Sequence, residues 1–318
     1  MKKLFLLVFL VLTSFTYADT REPFLEGIKG VVKLDFSDGS MYEGQVEECL
    51  ISGKQITCIN SDGIYTFQTK TGYVYRGELY DNKPNGQGVF TSPDGQRYQG
   101  EFKDGKLNGK GVMSYPDGRR YEGEYKDNKR DGYGIAIWGN GDKYEGEWLD
   151  DLKHGNGIYT FSNESYYNGS WNKDLKDGFG TFSYINGDLY QGEWVKSQRN
   201  GKGKIRFKSG NEYDGDWYKG IRQGSGSLVY SNNDKYEGEW IDNKFNGIGT
   251  FSYNNGDKYS GDWKNNLRDG EGTFTTSTGD KYKGSWKKNR WYTRHVPKNF
   301  KSFSFVAEYE NNIKTKIF

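Results

Sequence analysis

The chain has 318 residues, 33% of them hydrophobic, and a mean hydropathy of −0.97, too polar for a large layered core. Its 9 Trp, 26 Tyr and 19 Phe exclude a disordered chain, and 45 Gly beside only 5 Pro exclude a collagen helix or a Pro-rich linker. The formal net charge of +2 falls to zero without Lys2 and Lys3, so the balance gives no basis for nucleic-acid binding, and none is expected.

Residues 1–18 read as a secretory signal. Lys2 and Lys3 precede an apolar run from Leu4 to Leu12, and Ala18 supplies a small residue for cleavage. The run is shorter than the roughly 20 residues of a spanning helix. The expectation is an exported protein (periplasmic, cell-surface or secreted) cleaved near Ala18. Residues 19–74 read as an N-terminal cap. Tyr42-Glu43-Gly44 is a degenerate first repeat, and Cys49 and Cys58 sit in an insertion after it. In an exported protein these two cysteines are expected to form a disulfide that clips the cap.

Residues 75–286 carry a strict repeat. Tyr recurs every 23 residues at 75, 98, 121, 144, 167, 190, 213, 236, 259 and 282, with Gly two positions later. A large side chain follows four positions after each Tyr, from Leu79, Phe102 and Tyr125 to Trp148 and each later Trp up to Trp286. A Gly-x-Gly element keeps the same period from Gly86 to Gly272. Read with a period of two, Tyr144, Gly146 and Trp148 share one strand face, while Glu145 and Glu147 share the other. Gly178, Gly180, Phe182 and Tyr184 align likewise, so two strands of a hairpin set rings beside glycines. Turns such as Pro93-Asp94-Gly95 and Asn186-Gly187-Asp188 close the units. One hairpin is unstable alone, but successive hairpins bury each other's rings.

Units such as Tyr144-Glu145-Gly146-Glu147-Trp148 followed by Gly155-Asn156-Gly157-Ile158-Tyr159-Thr160-Phe161 resemble the MORN (membrane occupation and recognition nexus) repeat. The resemblance covers about two-thirds of the chain. It implies an all-β fold: an elongated single-layer antiparallel array of about ten to eleven 23-residue β-hairpins, curled or twisted, with caps at both ends. It also implies a non-catalytic task such as scaffolding, protein contact or dimerisation, and in some members association with phospholipid membranes.

No catalytic residue, metal site, cofactor or small-molecule substrate is expected. His154, read as a turn residue, and His295 form no ligand or nucleophile–base pattern. Glu101, Glu124, Glu147, Glu193 and Glu239 recur at one repeat position, which reads as a solvated ladder. If the array leaves its ring face open, a groove would be lined by Tyr144, Trp148, Tyr167, Trp171, Tyr190, Trp194, Tyr213, Trp217, Tyr236, Trp240, Tyr259 and Trp263. Residues 287–318 form a basic C-terminal cap or tail in which Lys287, Lys288, Arg290, Arg294, Lys298 and Lys301 are candidate anionic-lipid contacts. Asn163 and Asn168 open glycosylation sequons, meaningful only in a eukaryote. The expected partner is a protein or a second copy of the chain; an anionic membrane surface and a glycan in the aromatic groove are the alternatives.

Overall fold

A computed structural model describes residues 30–35, 41–51, 54–59, 63–69, 71–80 and 83–292. Regular structure among the described residues is entirely β-strand, with no helix. The chain divides into two compact units, residues 1–208 and 209–318. The signal segment 1–18, His295 and the candidate lipid contacts Arg294, Lys298 and Lys301 lie outside the described residues.

The first unit opens with β1 (Gly30–Asp35), β2 (Met41–Ile51), β3 (Lys54–Ile59) and β4 (Gly63–Gln68). Strand β2 pairs with the other three. Its register with β4 sets Tyr42 opposite Phe67, as Tyr75 stands opposite Phe90 in the next hairpin, so 41–68 is a repeat interrupted by β3. In the β2–β3 register Cys49 is paired with Ile56 and Cys58 with Glu47; the cysteine side chains lie outside the described residues.

Twelve regular strands follow: β5 (Val74–Tyr80), β6 (Lys83–Thr91), β7 (Arg97–Lys103), β8 (Lys106–Ser114), β9 (Arg120–Lys126), β10 (Lys129–Ile137), β11 (Lys143–Leu149), β12 (Leu152–Thr160), β13 (Tyr166–Asn172), β14 (Leu175–Ser183), β15 (Leu189–Val195) and β16 (Gln198–Arg206). Each pairs antiparallel with its sequence neighbour. The β13–β14 hairpin shows why the period holds. Tyr167 stands opposite Phe182 and Gly169 opposite Gly180; the register then shifts, so that Trp171 meets Lys176. Two extra residues on β14 are absorbed at Gly178, whose φ of +102° belongs to glycine.

The tight turn is Lys173–Asp174, with φ of +49° and +67°, the signs of a type I′ hairpin. Asp150–Asp151 (+49°, +69°) does the same between β11 and β12. Because this turn takes only two residues, His154 falls inside β12, opposite Glu147, rather than in a turn. At the other end, Phe161 N–H donates to Ser165 O at 2.9 Å and Glu164 N–H to Phe161 O at 2.9 Å, closing a five-residue loop.

The second unit repeats this plan in β17 (Glu212–Tyr218), β18 (Ile221–Val229), β19 (Lys235–Ile241), β20 (Lys244–Ser252), β21 (Lys258–Lys264), β22 (Leu267–Thr275), β23 (Lys281–Lys287) and the short β24 (Arg290–Tyr292). Its registers reproduce those of the first, with Tyr259 opposite Phe274 and Gly261 opposite Gly272.

Candidate functional site

The ring face is closed by the repeats themselves. Each Tyr lies along its own hairpin over the paired glycines: a Cβ at Gly169 would stand 2.7 Å from the Tyr167 hydroxyl oxygen, and one at Gly180 2.5 Å from the ring. The hydroxyl donates to the backbone three residues on, Tyr144 to Glu147 O and Tyr167 to Ser170 O, both at 3.0 Å. Burial pushes both phenols well above their ordinary titration range.

The rings then zip from repeat to repeat. Tyr144 meets Trp148 edge to face at 5.1 Å and Trp171 at 5.5 Å; Tyr167 meets Trp171 at 5.1 Å and Trp194 at 5.4 Å. In the second unit Tyr236 likewise joins Trp240 to Trp263. The indole N–H of Trp148, Trp171, Trp194, Trp240 and Trp263 donates to a glycine carbonyl of the preceding repeat, Trp171 to Gly157 O at 3.1 Å and Trp194 to Gly180 O at 3.2 Å, whereas that of Trp286 is buried without a partner. All twelve rings expected to line a groove are consequently core. Tyr144, Tyr167, Tyr190, Tyr213, Tyr236 and Tyr259 are 0% exposed, and Trp148, Trp171, Trp194, Trp217, Trp240 and Trp263 at most 7%. The candidate groove, which required an open ring face, is corrected here: neighbouring rings occupy the space a ligand would need.

A position that sequence reasoning missed completes this closure. Nine residues after Tyr121, Tyr144, Tyr167, Tyr213, Tyr236 and Tyr259 a side chain covers the next repeat's indole. Arg130 lies over Trp148 at 3.9 Å, Lys176 over Trp194 at 4.8 Å, Arg222 over Trp240 and Arg268 over Trp286 at 4.6 Å. At the same position Phe245 packs edge to face on Trp263. Most of these residues also grip the following turn. The Arg130 guanidinium donates to Asp151 Oδ1 and O, Lys153 pairs with Asp174 at 3.0 Å, and Arg222 reaches Asn243. At the opposite end of each repeat a second ladder runs: Asp142 accepts from Ser162 N at 2.8 Å, Asp188 from Lys208 N and Asp234 from Asn254 N.

The glutamate ladder is exposed but also structural. Glu147 accepts from Asn156 N at 2.9 Å, Glu101 from Lys110 N and Glu239 from Ile248 N, filling the gap that the register shift opens in the ladder of backbone bonds. His154 Nδ1 is buried without a hydrogen-bond partner. At Ala136, where other repeats carry Phe90, Met113, Tyr159 or Phe182, the missing bulk leaves a cleft of about 70 Å³ beside Met113, Tyr115, Arg130 and Trp138. No group of three or more His, Cys, Asp or Glu able to hold a metal occurs among the described residues.

The face opposite the rings carries exposed large apolar side chains. Tyr133 and Phe179, central in their Gly-x-Gly elements, are 52% and 57% exposed, and Ile158 lies on the strand between them. In the second unit Ile248 is 69% exposed at the same position. The other repeats hold Gln87, Lys110, Asn156, Lys202, Ser225 and Glu271 there. Of the described basic candidates, Lys287, Lys288 and Arg290 are exposed around the β23–β24 turn, with Lys287 paired to Asp269 at 3.2 Å.

Fold and surface together define a repeat scaffold whose rings are structural and whose outer face is open. The MORN repeat model matches nine consecutive segments, 75–97, 98–119, 121–143, 144–166, 167–189, 190–212, 213–235, 236–258 and 259–281, and the chain belongs to the MORN repeat family. MORN repeats are compatible with a protein-interaction or membrane-binding scaffold. No curated protein matches the chain. Among solved structures, the SAS-4 (dCPAP) TCP domain of Drosophila melanogaster, in complex with a proline-rich motif of Ana2 (dSTIL), is 13% identical over 63% of this chain and 90% of its own, with a TM-score of 0.30. A catalytically inactive virginiamycin B lyase from Staphylococcus aureus, with quinupristin, is 12% identical over 83% and 87%, with a TM-score of 0.14. Likenesses this distant carry no functional information.

Proposed function

We propose that this chain is an exported, non-catalytic scaffold that holds a protein partner on the outer face of its repeats. The observation that carries the reading is the exposure of Tyr133, Ile158 and Phe179 on a face whose backbone is fixed by hairpins on both sides. Strands in a sheet lie about 4.8 Å apart, so these three residues on β10, β12 and β14 span a footprint of roughly 20 Å. Aromatic anchors on a rigid platform favour a protein surface, because little side-chain entropy is lost on contact. Export rests on Lys2, Lys3 and the apolar run from Leu4 to Leu12.

The test is site-specific photocrosslinking from position 156, which lies between Tyr133 and Phe179 on the same face, in residues 19–318. Adducts to a second protein or a second copy, abolished by Tyr133→Ser with Phe179→Ser, support this reading. Salt-sensitive co-sedimentation with anionic vesicles, abolished by Lys287→Glu with Lys288→Glu and accompanied by no adducts, would replace it with a membrane role.

A further inference from the structure

Four of the cationic side chains that cover an indole have a polar partner in the next turn: Arg130 has Asp151, Lys153 has Asp174, Arg222 has Asn243 and Arg268 has Asn289. Lys176 differs. Its turn residue is Ser197, which takes the Lys176 backbone N–H at 3.1 Å and offers the ammonium no carboxylate. The ammonium instead lies 4.4 Å from the Phe182 ring centroid, 4.8 Å from Trp194 and 5.4 Å from Tyr167. The surrounding elements present Lys153 on β12, Tyr167 on β13, Asp174 in the turn, Asp177 on β14 itself, Tyr190 and Glu193 on β15, Lys196 in its turn and Arg199 on β16. The acids among them are engaged elsewhere: Asp174 by Lys153, Asp177 by the Lys196 N–H and Glu193 by the Lys202 N–H.

We propose that Lys176 is an acyl-acceptor site, a lysine held among three rings without an anionic partner and modified in the folded protein by small acyl thioesters. The neutral amine attacks the thioester carbonyl carbon. A C–N bond forms, the C–S bond breaks, the thiol leaves, and the amine proton passes to the thiolate. Burial supports the reactive form, pulling this ammonium down to about 8 and so raising its neutral fraction near neutral pH. The product is tolerated as well. An amide carries no charge to desolvate and breaks no ion pair here, whereas acylating Lys153 would break its ion pair with Asp174.

The full folded chain, treated with acetyl-N-acetylcysteamine at pH 7.5 and mapped by peptide mass spectrometry over time, tests this. Lys176 is expected to acetylate about tenfold or more faster than Lys153, since each unit of depression is tenfold in neutral amine. Ser197→Asp, which restores the acid found in sibling turns, is expected to bring the Lys176 rate to within about threefold of Lys153. Lys176→Arg removes the fast site and leaves the other rates unchanged. Denaturation in urea equalises all lysines. Equal folded-state rates at Lys176 and Lys153, or a fast Lys176 that Ser197→Asp leaves untouched, overturn the proposal.

Discussion

Tyr144 and Trp171 belong to consecutive repeats, and their rings meet edge to face at 5.5 Å while Tyr144 also holds its own Trp148 at 5.1 Å. Tyr144 is thus a pin shared by two hairpins, as are Tyr121, Tyr167, Tyr213, Tyr236 and Tyr259. Aromatic pairs of this geometry contribute about 0.5–1.5 kcal/mol beyond area burial, so the zipper supplies a nearest-neighbour coupling between units too small to fold alone.

The glycines under the pins are the first place to break the array. Gly180→Ala puts a methyl into the Tyr167 ring and is expected to cost about 2 kcal/mol, in the range of overpacked cores. Gly118→Ala, in open space but at φ +83°, is expected to cost only backbone strain of about 1 kcal/mol. Urea denaturation of both variants checks the order; a smaller loss at Gly180 than at Gly118 would mean that the ring is not seated there.

Arg130 combines a lid and a clasp, and two substitutions separate them. Arg130→Met retains apolar cover over Trp148 and loses the bonds to Asp151, whereas Arg130→Ala loses both. The expected losses are about 1 kcal/mol and about 2 kcal/mol respectively. Only the Ala variant is expected to red-shift tryptophan emission, because only there does water reach the indole.

Acid sensitivity follows from Asp142. The Tyr159 hydroxyl donates to it at 2.7 Å and Ser162 N–H at 2.8 Å, and these bonds hold its carboxyl below the usual range. A carboxylate with a folded value below its unfolded one contributes stability that is complete above about pH 4 and is lost as pH falls through the folded value. Thermal unfolding from pH 7 to pH 3 is expected to show that loss, and Asp142→Asn to be less stable at pH 7 with a flatter acid limb. Parallel curves for the two proteins would remove Asp142 from the acid response.

The tight turns leave room for improvement. Lys219 holds φ +48° beside Gly220 at +87°, a left-handed conformation that asparagine tolerates better than lysine. Lys219→Asn creates the Asn-Gly pair favoured in type I′ hairpins and is expected to stabilise the chain by about 0.5–1 kcal/mol, read as a rise in Tm. No rise, or a fall, would show that lysine bears no strain there.

The hairpins were legible in the sequence because Tyr, Gly and Trp obey one period and strand alternation sorts them by face. The lid position was not, since Pro84, Leu107, Arg130, Lys153, Phe245 and Arg268 share bulk and reach but no chemical type. The register shift was hidden as well: a Gly-x-Gly reads as a strand, and only the +102° φ of Gly178 reveals that two extra residues are absorbed there. That shift moved His154 from turn to strand and gave Glu147 an N–H to hold. Whether rings line a groove or fill a core depends on what covers them, which a pattern along one chain does not display.

The lids give the array a direction of assembly. Arg130 precedes Trp148 in the chain, and Trp148 donates back to Gly134, so this indole settles onto groups synthesised before it, as Trp240 does on Arg222 and Gly226. A nascent chain leaving the ribosome or crossing a membrane N-terminus first lays each new hairpin on a finished seat, as courses of shingles are laid from the eaves upward. Shortening from the C-terminal side within a unit takes away the newest course, while shortening from the N-terminal side strips the lid from the next indole and exposes it to water.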